Sequence, residues 1–265
     1  MQTVILRDLS IGYATKGNEK VVACGLNAAI NSGELTCLLG QNGIGKSTLL
    51  RTLSAFQPAL GGDVLLNTEG NHTFHLSSLT SHLLSRMIGV VLTEKLTIKN
   101  MTAEELIAMG RAPYTGFWGR LTEEDHQVVR EAIRLVGIEP LAGRMIQTLS
   151  DGERQKVMIA KALAQQTPII YLDEPTAFLD YPSKVEMMQL LRRLAVQEQK
   201  TIFLSTHDVE LSLQVADCIW LMDTDQLYVG TPHQLAKQGA LSRFIEREGI
   251  TFDRDSLTIR VTPAD

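Results

Sequence analysis

The sequence predicts an α/β fold built on a mostly parallel sheet, with antiparallel strands near the N-terminus and a helical subdomain inserted in the middle. Three observations support this prediction. Several short apolar runs end in polar residues, as buried strands do where a parallel sheet meets a ligand. A glycine-rich loop joins one such run to a helix. From about residue 97 to 165 the periodicity becomes helical rather than strand-like.

The first third of the chain is predicted to form strands separated by turns. Its apolar runs are rich in Val, Ile and Leu, and Asn, Ser, Gly and Pro separate several of them. One helix interrupts this pattern after the strand at 35–39. The predicted strands are residues 4–6, 21–22, 26–30, 35–39, 63–67 and 87–92.

The loop between the strand at 35–39 and this helix has the pattern G-x-x-x-x-G-K-[ST] of a phosphate-binding loop. Its glycines let backbone N–H groups turn inward around anionic oxygens, and the helix aims its positive end at the same place. Lys46 adds a mobile charge for β- and γ-phosphates, and Ser47 offers a hydroxyl to Mg²⁺. The predicted nucleotide-binding residues of the loop are Gly40, Gln41, Asn42, Gly43, Ile44, Gly45, Lys46, Ser47 and Thr48.

The middle of the chain, residues 97–165, is predicted to be a helical subdomain within a single domain of residues 1–265. Thr122 is a favourable N-cap followed by acidic residues, and Gly137 suits a C-cap. Residues 232–265 are predicted to form a tail of two short helices and a polar terminal segment. The other predicted elements are helices 101–109, 123–136, 157–163, 182–198 and 209–215, strands 169–172 and 201–206, and a hairpin of 218–222 with 226–229.

Two of the later strands end in residues that can act on a phosphate group. The run 169–172 leads to Asp173, which can hold Mg²⁺, and Glu174, which can polarise an attacking water. The run 201–206 leads to His207, which can hydrogen-bond a γ-phosphate. Because ligands gather at the carboxyl ends of parallel strands, we expect these side chains to meet the phosphate-binding loop.

The composition excludes several classes of protein. Of the 265 residues, 44% are hydrophobic and 21% are charged, as in ordinary globular proteins. The formal net charge is −5, so no basic surface argues for nucleic acid. The chain opens without a charged leader and an apolar run, and no apolar stretch approaches about 18 residues. We therefore expect a cytosolic protein unless a partner holds it at a membrane.

Together, segments 40–48, 149–155 and 169–175 and His207 resemble, in order and across most of the chain, the ATP-binding cassette (ABC) ATPases. The resemblance implies a P-loop NTPase core that binds ATP and Mg²⁺ and hydrolyses ATP. It also implies a head-to-tail homodimer in which the phosphate-binding loop of one copy and the signature segment of the other enclose each ATP.

The resemblance assigns roles to single residues as well. Glu174 resembles the catalytic base, Asp173 the metal-binding aspartate and His207 the switch histidine. Asp180 lies in a segment similar to the loop that couples the two ATP sites, and Tyr13 matches the aromatic residue that stacks on adenine. The signature residues, which complete the ATP site of the opposite subunit, are Leu149, Ser150, Asp151, Gly152 and Glu153.

The chain departs from the family pattern at two places. The signature usually begins Leu-Ser-Gly-Gly, but Asp151 stands third here, and we expect this carboxylate to point away from the phosphate or to meet a cation. Gly152 still allows close backbone approach. The family's glutamine after the strand at 87–92 corresponds to Thr93, with Glu94 beside it. Thr93 can offer Mg²⁺ an oxygen and Glu94 can reach the same region, so the sequence leaves both open.

The motif at 110–114 resembles, within this family, the importers of iron–siderophore, haem and cobalamin type. The aromatic residues that follow suit a groove that receives a short permease helix. We expect Arg111, Tyr114 and Trp118 to contact the permease. The resemblance thus implies a peripheral subunit on the cytoplasmic face of the inner membrane, serving permease subunits and, indirectly, a solute-binding protein.

Three other functions are compatible with an ATP site. A soluble ABC ATPase of DNA repair or of ribosomes is disfavoured, since the sequence shows no long coiled coil, second cassette or basic patch. A nucleotide-binding regulator that does not hydrolyse ATP is the next alternative. Measurable ATP hydrolysis that is lost in the Glu174→Gln variant would exclude it. An exporter cassette is also disfavoured. Such cassettes are commonly fused to membrane spans, and this sequence has no apolar stretch long enough to be one. The sequence does not name the cargo, whose selection belongs to the binding protein and permease.

Overall fold

The computed structural model describes residues 1–15, 18–68, 70, 72–92, 100–116, 118–224 and 226–262. Its strands are β1 (Gln2–Thr15), β2 (Asn18–Asn31), β3 (Leu35–Gly40), β4 (Gly61–Asn67), β5 (Thr73–His75), β6 (Ile88–Val91), β7 (Ile169–Asp173), β8 (Thr201–Ser205), β9 (Cys218–Met222), β10 (Leu227–Gly230), β11 (Ile250–Asp253) and β12 (Thr258–Val261). Its α-helices are α1 (Lys46–Leu53), α2 (Ser81–Met87), α3 (Ala103–Ala108), α4 (Glu123–Val136), α5 (Asp151–Ala164), α6 (Tyr181–Gln197), α7 (Val209–Val215), α8 (Pro232–Lys237) and α9 (Ala240–Ile245). Short 3₁₀ helices span Leu76–Ser78, Met109–Arg111, Glu139–Leu141 and Ile146–Thr148.

The central sheet has the strand order β10-β9-β3-β8-β7-β6 and is parallel except for β10. All residues of β3 and β8 are buried, which explains why these strands are continuous apolar runs in the sequence. Asp173 at the end of β7 pairs with Ser205 at the end of β8. The carboxyl ends of the parallel strands therefore lie along one edge, and the predicted α/β fold with a mostly parallel sheet is confirmed.

A second sheet of order β2-β1-β4-β5 is antiparallel throughout, as predicted for the N-terminal strands. Both β1 and β2 are 14 residues long, much longer than the short strands expected from the sequence. Register shifts interrupt their pairing at several points. Such irregularities change which side chains face inward, so the simple alternation that identifies a strand in a sequence is lost.

The hydrophobic core lies on both faces of the central sheet. One face packs on the antiparallel sheet and α1, and the other packs on helices that include α5 and α6. Three fully buried aromatic side chains, Tyr171, Phe203 and Trp220, lie on β7, β8 and β9 of the central sheet. Phe203 lies edge-on to both others, with ring centroids 6.0 Å from Tyr171 and 4.9 Å from Trp220. This packing holds the strands whose ends form the site.

The predicted helical insert contains α3, α4 and α5, which pack on one another. Thr122 caps α4 in a capping box with Asp125, and Gly137 ends it in the left-handed conformation with φ 74°, both as the sequence indicates. The helix predicted at 101–109 instead gives way to a 3₁₀ turn that includes Gly110. A Cβ at Gly110 would lie 2.4 Å from the carbonyl oxygen of Lys161, so this glycine allows close packing on α5.

The C-terminal tail contains more structure than predicted. The two expected short helices are α8 and α9, and the segment expected to be a polar terminus forms the β11–β12 hairpin. Phe252 and Leu257 are buried and pack on the main core. Within the described residues, none of the helices has both the length and the apolar character that a bilayer crossing requires.

Candidate functional site

The phosphate-binding loop lies between β3 and α1, in the strand–loop–helix order that its motif requires. The loop begins at Gly40, the last residue of β3, and α1 begins at Lys46. Gly45 has φ 120°, and a Cβ there would lie 2.5 Å from Cγ1 of Val22. Only glycine fits this position, so the loop can bring its backbone amides close to an anion at the positive end of α1.

The side chain of Lys46 is folded over the loop that it terminates. Its Nζ donates hydrogen bonds to the carbonyl oxygens of Gly40 (2.8 Å) and Gln41 (3.1 Å). Burial lowers the pKa of Lys46, and the carboxylates of Glu174 and Asp173 oppose that shift. Phosphate oxygens are anionic acceptors that Lys46 can bind in place of these carbonyls. The cation is thus positioned above the loop where the motif predicts phosphate.

A cleft of about 580 Å³ opens over this loop and brings several of the predicted site residues together. Besides the loop, its lining includes Tyr13 from β1, Glu174 after β7 and His207 after β8. The Tyr13 hydroxyl and Oγ1 of Thr48 are hydrogen-bonded at 2.9 Å, and 45% of Tyr13 is exposed. An aromatic ring, an anion-binding loop, a carboxylate and an imidazole therefore share one cleft, as binding and hydrolysis of a nucleotide require.

Ser205 holds the two carboxylate residues that follow β7. Its hydroxyl donates to Oδ1 of Asp173 at 2.6 Å and accepts from the backbone N–H of Glu174 at 3.0 Å. The same N–H lies 3.1 Å from the carbonyl oxygen of Ser205. Sequence reasoning missed this residue. The available signal was that Ser205, two positions before His207, is a small polar residue directly after the apolar run 202–204 of a buried strand.

Glu174 and His207 contact each other at the cleft. Nε2 of His207 lies 2.6 Å from Oε1 of Glu174, and both side chains are partly exposed to the cleft. A carboxylate in this position can accept a proton from a water, and an imidazole beside it can bond either the carboxylate or a phosphate oxygen. The geometry fits the roles predicted for both residues, and these roles remain predictions.

The signature segment begins α5 and lies apart from the cleft. Ser150 caps the helix: its hydroxyl accepts from the N–H of Glu153 (3.2 Å), and the Glu153 carboxylate accepts from the N–H of Ser150 (2.8 Å). The backbone bond from Ser150 is the main reason that the pKa of Glu153 is lowered. Asp151 meets a cation as expected, since Nη1 of Arg154 lies 3.2 Å from its Oδ1. Among the described residues that line the cleft, none belongs to 149–153.

The coupling-loop residue Asp180 caps α6. Its carboxylate accepts from the N–H of Ser183 at 3.0 Å, and hydrogen bonds from the Ser183 hydroxyl and backbone lower the pKa of Asp180. The Asp180–Ser183 hydrogen bond fixes the end of the loop that, by resemblance to the family, is predicted to couple the two ATP sites. Thr93, the predicted Mg²⁺ ligand, and its neighbour Glu94 lie outside the described residues.

One of the predicted permease contacts is corrected by the structure. Arg111 is only 4% exposed, and its guanidinium donates to Oδ1 of Asp125 (2.9 Å), the carbonyl oxygen of Ala164 (2.8 Å) and Oε1 of Gln166 (2.8 Å). It also lies 4.0 Å from the ring centroid of Tyr114. Arg111 is therefore a buried structural residue and does not present its side chain to a partner.

The other two predicted permease contacts differ in exposure. The Tyr114 hydroxyl donates to the carbonyl oxygen of Gln165 at 3.0 Å, and Arg86 lies 4.7 Å from its ring centroid, so Tyr114 is half-buried and held in place. Trp118 is 82% exposed, the largest such fraction among the exposed large apolar residues described. Trp118 thus remains the stronger candidate for contact with a partner.

Comparison with known proteins adds the family. A family model described as ABC transporter matches residues 24–177. The uncharacterized ABC transporter ATP-binding protein MJ0873 of Methanocaldococcus jannaschii is 40% identical over 246 residues, which cover 92% of this chain and 82% of the relative. The ferric enterobactin transport ATP-binding protein FepC of Escherichia coli is 34% identical over 236 residues, covering 89% of this chain and 84% of FepC. Among solved structures, a dimeric bacterial ABC transporter cassette, MJ0796, is 26% identical with a TM-score of 0.71, covering 86% of this chain and 98% of that one.

Proposed function

The chain belongs to the ABC transporter ATP-binding proteins, which hydrolyse ATP to drive transport, and we propose that it energises the import of a metal chelate through a membrane permease. The observation that carries the ATP-dependent part of the proposal is the cleft in which Lys46, Tyr13, Glu174 and His207 converge. The family supplies the ATPase activity. The chelate is the part that remains a proposal.

The arrangement supports a direct role for Glu174 in hydrolysis. The phosphate-binding loop and Lys46 hold the phosphates, and Tyr13 provides an aromatic face for adenine. Glu174 then accepts a proton from the attacking water, while the His207 imidazole bonds the terminal phosphate in place of the Glu174 carboxylate. Binding and positioning supply most of the catalysis, because phosphoryl transfer asks little covalent chemistry of the protein.

Mg²⁺ suits the residues at this end of the sheet. The Ser47 hydroxyl and the Asp173 carboxylate are both oxygen donors, which Mg²⁺ prefers, and Ser205 holds Asp173 in one orientation. Ser47, at the start of α1, and Asp173, at the end of β7, both line the cavity between α1 and β7. When bound, the ion neutralises charge on the phosphates. Thr93 is a further proposed ligand.

The active unit is a homodimer in this proposal. The support is that residues 149–153 are capped and ordered at the start of α5 but do not line the cleft of their own chain. A second copy can bring Ser150 and Gly152 to that cleft, and the dimeric relative of similar fold has this oligomeric state. Asp180, at the end of the loop before α6, is then the residue proposed to couple the two sites.

The chelate is inferred from relatives and from the surface after α3. FepC, 34% identical, is named for ferric enterobactin transport. The exposed Trp118 follows the motif at 110–114, which resembles that of chelate importers. The protein accordingly acts at the cytoplasmic face of the inner membrane, bound to permease subunits that receive cargo from a solute-binding protein. Iron–siderophore, haem and cobalamin complexes are the candidate cargoes.

Cells that lack the chain provide the test. We expect them to lose ATP-dependent uptake of at least one chelate among ferric siderophores, haem and cobalamin, supplied as radiolabelled probes. Re-expression of the wild-type chain should restore uptake, and Glu174→Gln should not, although that variant should still bind ATP. Unchanged uptake of every probe, with purified protein that hydrolyses ATP, would contradict the chelate assignment and leave the ATPase assignment intact.

A further inference from the structure

Asp208, the residue that follows His207, joins two segments that flank the proposed coupling loop. Its Oδ2 accepts from the Thr176 hydroxyl at 2.7 Å, and its Oδ1 accepts from Nζ of Lys184 at 2.8 Å. Thr176 comes two residues after Glu174, and Lys184 lies in the first turn of α6, just after Asp180. One carboxylate therefore binds the chain on both sides of the loop 177–180.

The backbone around Asp208 is equally constrained. Its N–H donates to Oγ1 of Thr206 at 3.0 Å, and its carbonyl oxygen accepts from the Ser212 hydroxyl at 2.8 Å. The N–H of Thr206 in turn donates to the carbonyl oxygen of Leu38 in β3. His207 thus lies between Thr206, which is hydrogen-bonded to β3, and Asp208, which is hydrogen-bonded to α7, so the placement of Asp208 bears directly on that of the imidazole.

The three side chains are sheltered from water. Thr176 is 2% exposed, and the side chains of Lys184 and Asp208 are about one-quarter exposed. A partly buried ion pair with a second hydrogen bond to the same carboxylate is held more firmly than a surface pair, because solvent screening is weaker. The contacts form a bridge between the loop 177–180 and His207 that involves neither the phosphate-binding loop nor the metal-binding aspartate.

We propose that Asp208 is a positioning residue that transmits displacement of the loop 177–180 to the Glu174–His207 pair. The proposal rests on the proposed function, in which this loop contacts the partner copy when ATP closes the dimer. Contact with the partner then changes the position of the His207 imidazole through Thr176, Lys184 and Asp208. Hydrolysis at one site becomes sensitive to the state of the other, because both sites bias one packed element.

Lys184→Met tests the bridge, because it removes the charge and keeps most of the aliphatic side chain. We expect kcat for ATP hydrolysis by the purified full-length chain to fall about tenfold or more. We expect KM for ATP to change less than about twofold, and the Hill coefficient for ATP to fall toward about 1. Lys184→Arg keeps a donor and a charge and should restore most of the rate and cooperativity.

The matched control is Glu186→Gln on the same helix. It removes an ion pair with Lys156, at 3.1 Å, that lies farther along α6 than Lys184. The control should retain parental kcat, KM and cooperativity. Lys184→Met combined with Asp208→Asn should be no slower than the slower single variant, since residues of one network are not additive.

Three outcomes would overturn the proposal that Asp208 transmits displacement of the loop 177–180. Lys184→Met could behave as Glu186→Gln does, it could lose ATP affinity in proportion to kcat, or Lys184→Arg could fail to rescue while the thermal midpoint stays parental. If Lys184→Met fails to fold, Thr176→Val and Asp208→Asn must reproduce the kcat and Hill effects, and their failure to do so overturns the bridge as well. A parental protein without ATP hydrolysis would instead contradict the proposed function itself.

Discussion

Glu174 is constrained at both its backbone and its side chain. Its φ of 46° lies in the left-handed region, which costs a non-glycine residue about 1–3 kcal/mol. Hydrogen bonds from its N–H to Ser205 offset this cost, and His207 holds the carboxylate at the other end. Strain of this kind is typical of residues whose orientation matters for function. Sequence reasoning could identify Glu174 from its place after an apolar strand, but it could not show what holds it.

Ser205→Ala should slow hydrolysis by about tenfold or more, because it removes bonds to both Asp173 and Glu174 and loosens their placement. ATP affinity measured with EDTA present should stay within about twofold, since the phosphate-binding loop is untouched. Steady-state kinetics and nucleotide titration measure the two effects. Ser242→Ala, which truncates another buried serine on α9, is the control and should match the parent. Equal rates for both alanine variants would show that Ser205 does not position the carboxylates.

At the scale of elements, a buried ion pair joins the 3₁₀ turn after α3 to the start of α4. Arg111 and Asp125 are both below about one-tenth exposed, and Asp125 also completes the capping box with Thr122. The N–H of Thr122, the Arg111 guanidinium and the Thr122 hydroxyl lower the pKa of Asp125 from 3.8 to about 2. The sequence predicted the N-cap of α4 at Thr122 but not the Arg111–Asp125 ion pair. These two residues are 14 positions apart and meet only when the helices pack.

Asp125→Asn should destabilise the fold by about 3–5 kcal/mol, because it leaves Arg111 buried without its carboxylate partner. The folded-state pKa of Asp125 is below its unfolded value, so its contribution to stability is complete above about pH 4 and is lost as the pH falls through about 2. Urea unfolding at several pH values measures both effects. The variant should show a smaller loss of stability than the parent between pH 4 and pH 2.

Glu123→Gln is the control for this pair, because it breaks the exposed contact with Arg130 on the same helix. Its unfolding free energy should remain close to that of the parent. If Asp125→Asn is as stable as Glu123→Gln, the pair does not anchor α4.

Buried strands in the centre of the sheet could be predicted from the sequence more fully than the elements at its margins. Strands β3, β7 and β8 are short apolar runs in the centre of the sheet, and their polar ends mark the site, so the sequence identifies them directly. The β11–β12 hairpin was missed because each of its strands has only four residues, too few for alternation to identify a strand in the sequence. The lengths of β1 and β2 were missed because bulges break their alternation.

At the scale of the whole molecule, the phosphate-binding loop, the carboxylates and the histidine could be predicted to meet, since motif order and parallel strands bring them to one edge. The burial of Arg111 could not be predicted, since it depends on how the helical insert packs on α5. The contacts of Asp208 could not be predicted either, because they join segments whose distance in space is set by the fold.

Trp118→Ala should weaken association of the chain with its permease by about tenfold, because a large exposed aromatic side chain is typical of an interface anchor. ATP affinity should not change, since Trp118 lies in the helical insert and does not line the cleft. Co-purification from detergent-solubilised membranes, with nucleotide titration in parallel, measures both. Val261→Ser, which removes an exposed apolar side chain from β12, is the control. Equal recovery of the permease with both variants would contradict the assignment of this loop.

In the proposed mechanism, two copies of the chain enclose ATP between the phosphate-binding loop of one and the signature segment of the other. Sedimentation of the Glu174→Gln variant with saturating ATP and Mg²⁺ tests it most directly, with the nucleotide content of each species measured. We predict a dimer that holds one ATP per chain and returns to monomers when ATP is removed. A monomer that remains fully loaded with ATP at every protein concentration would contradict the account.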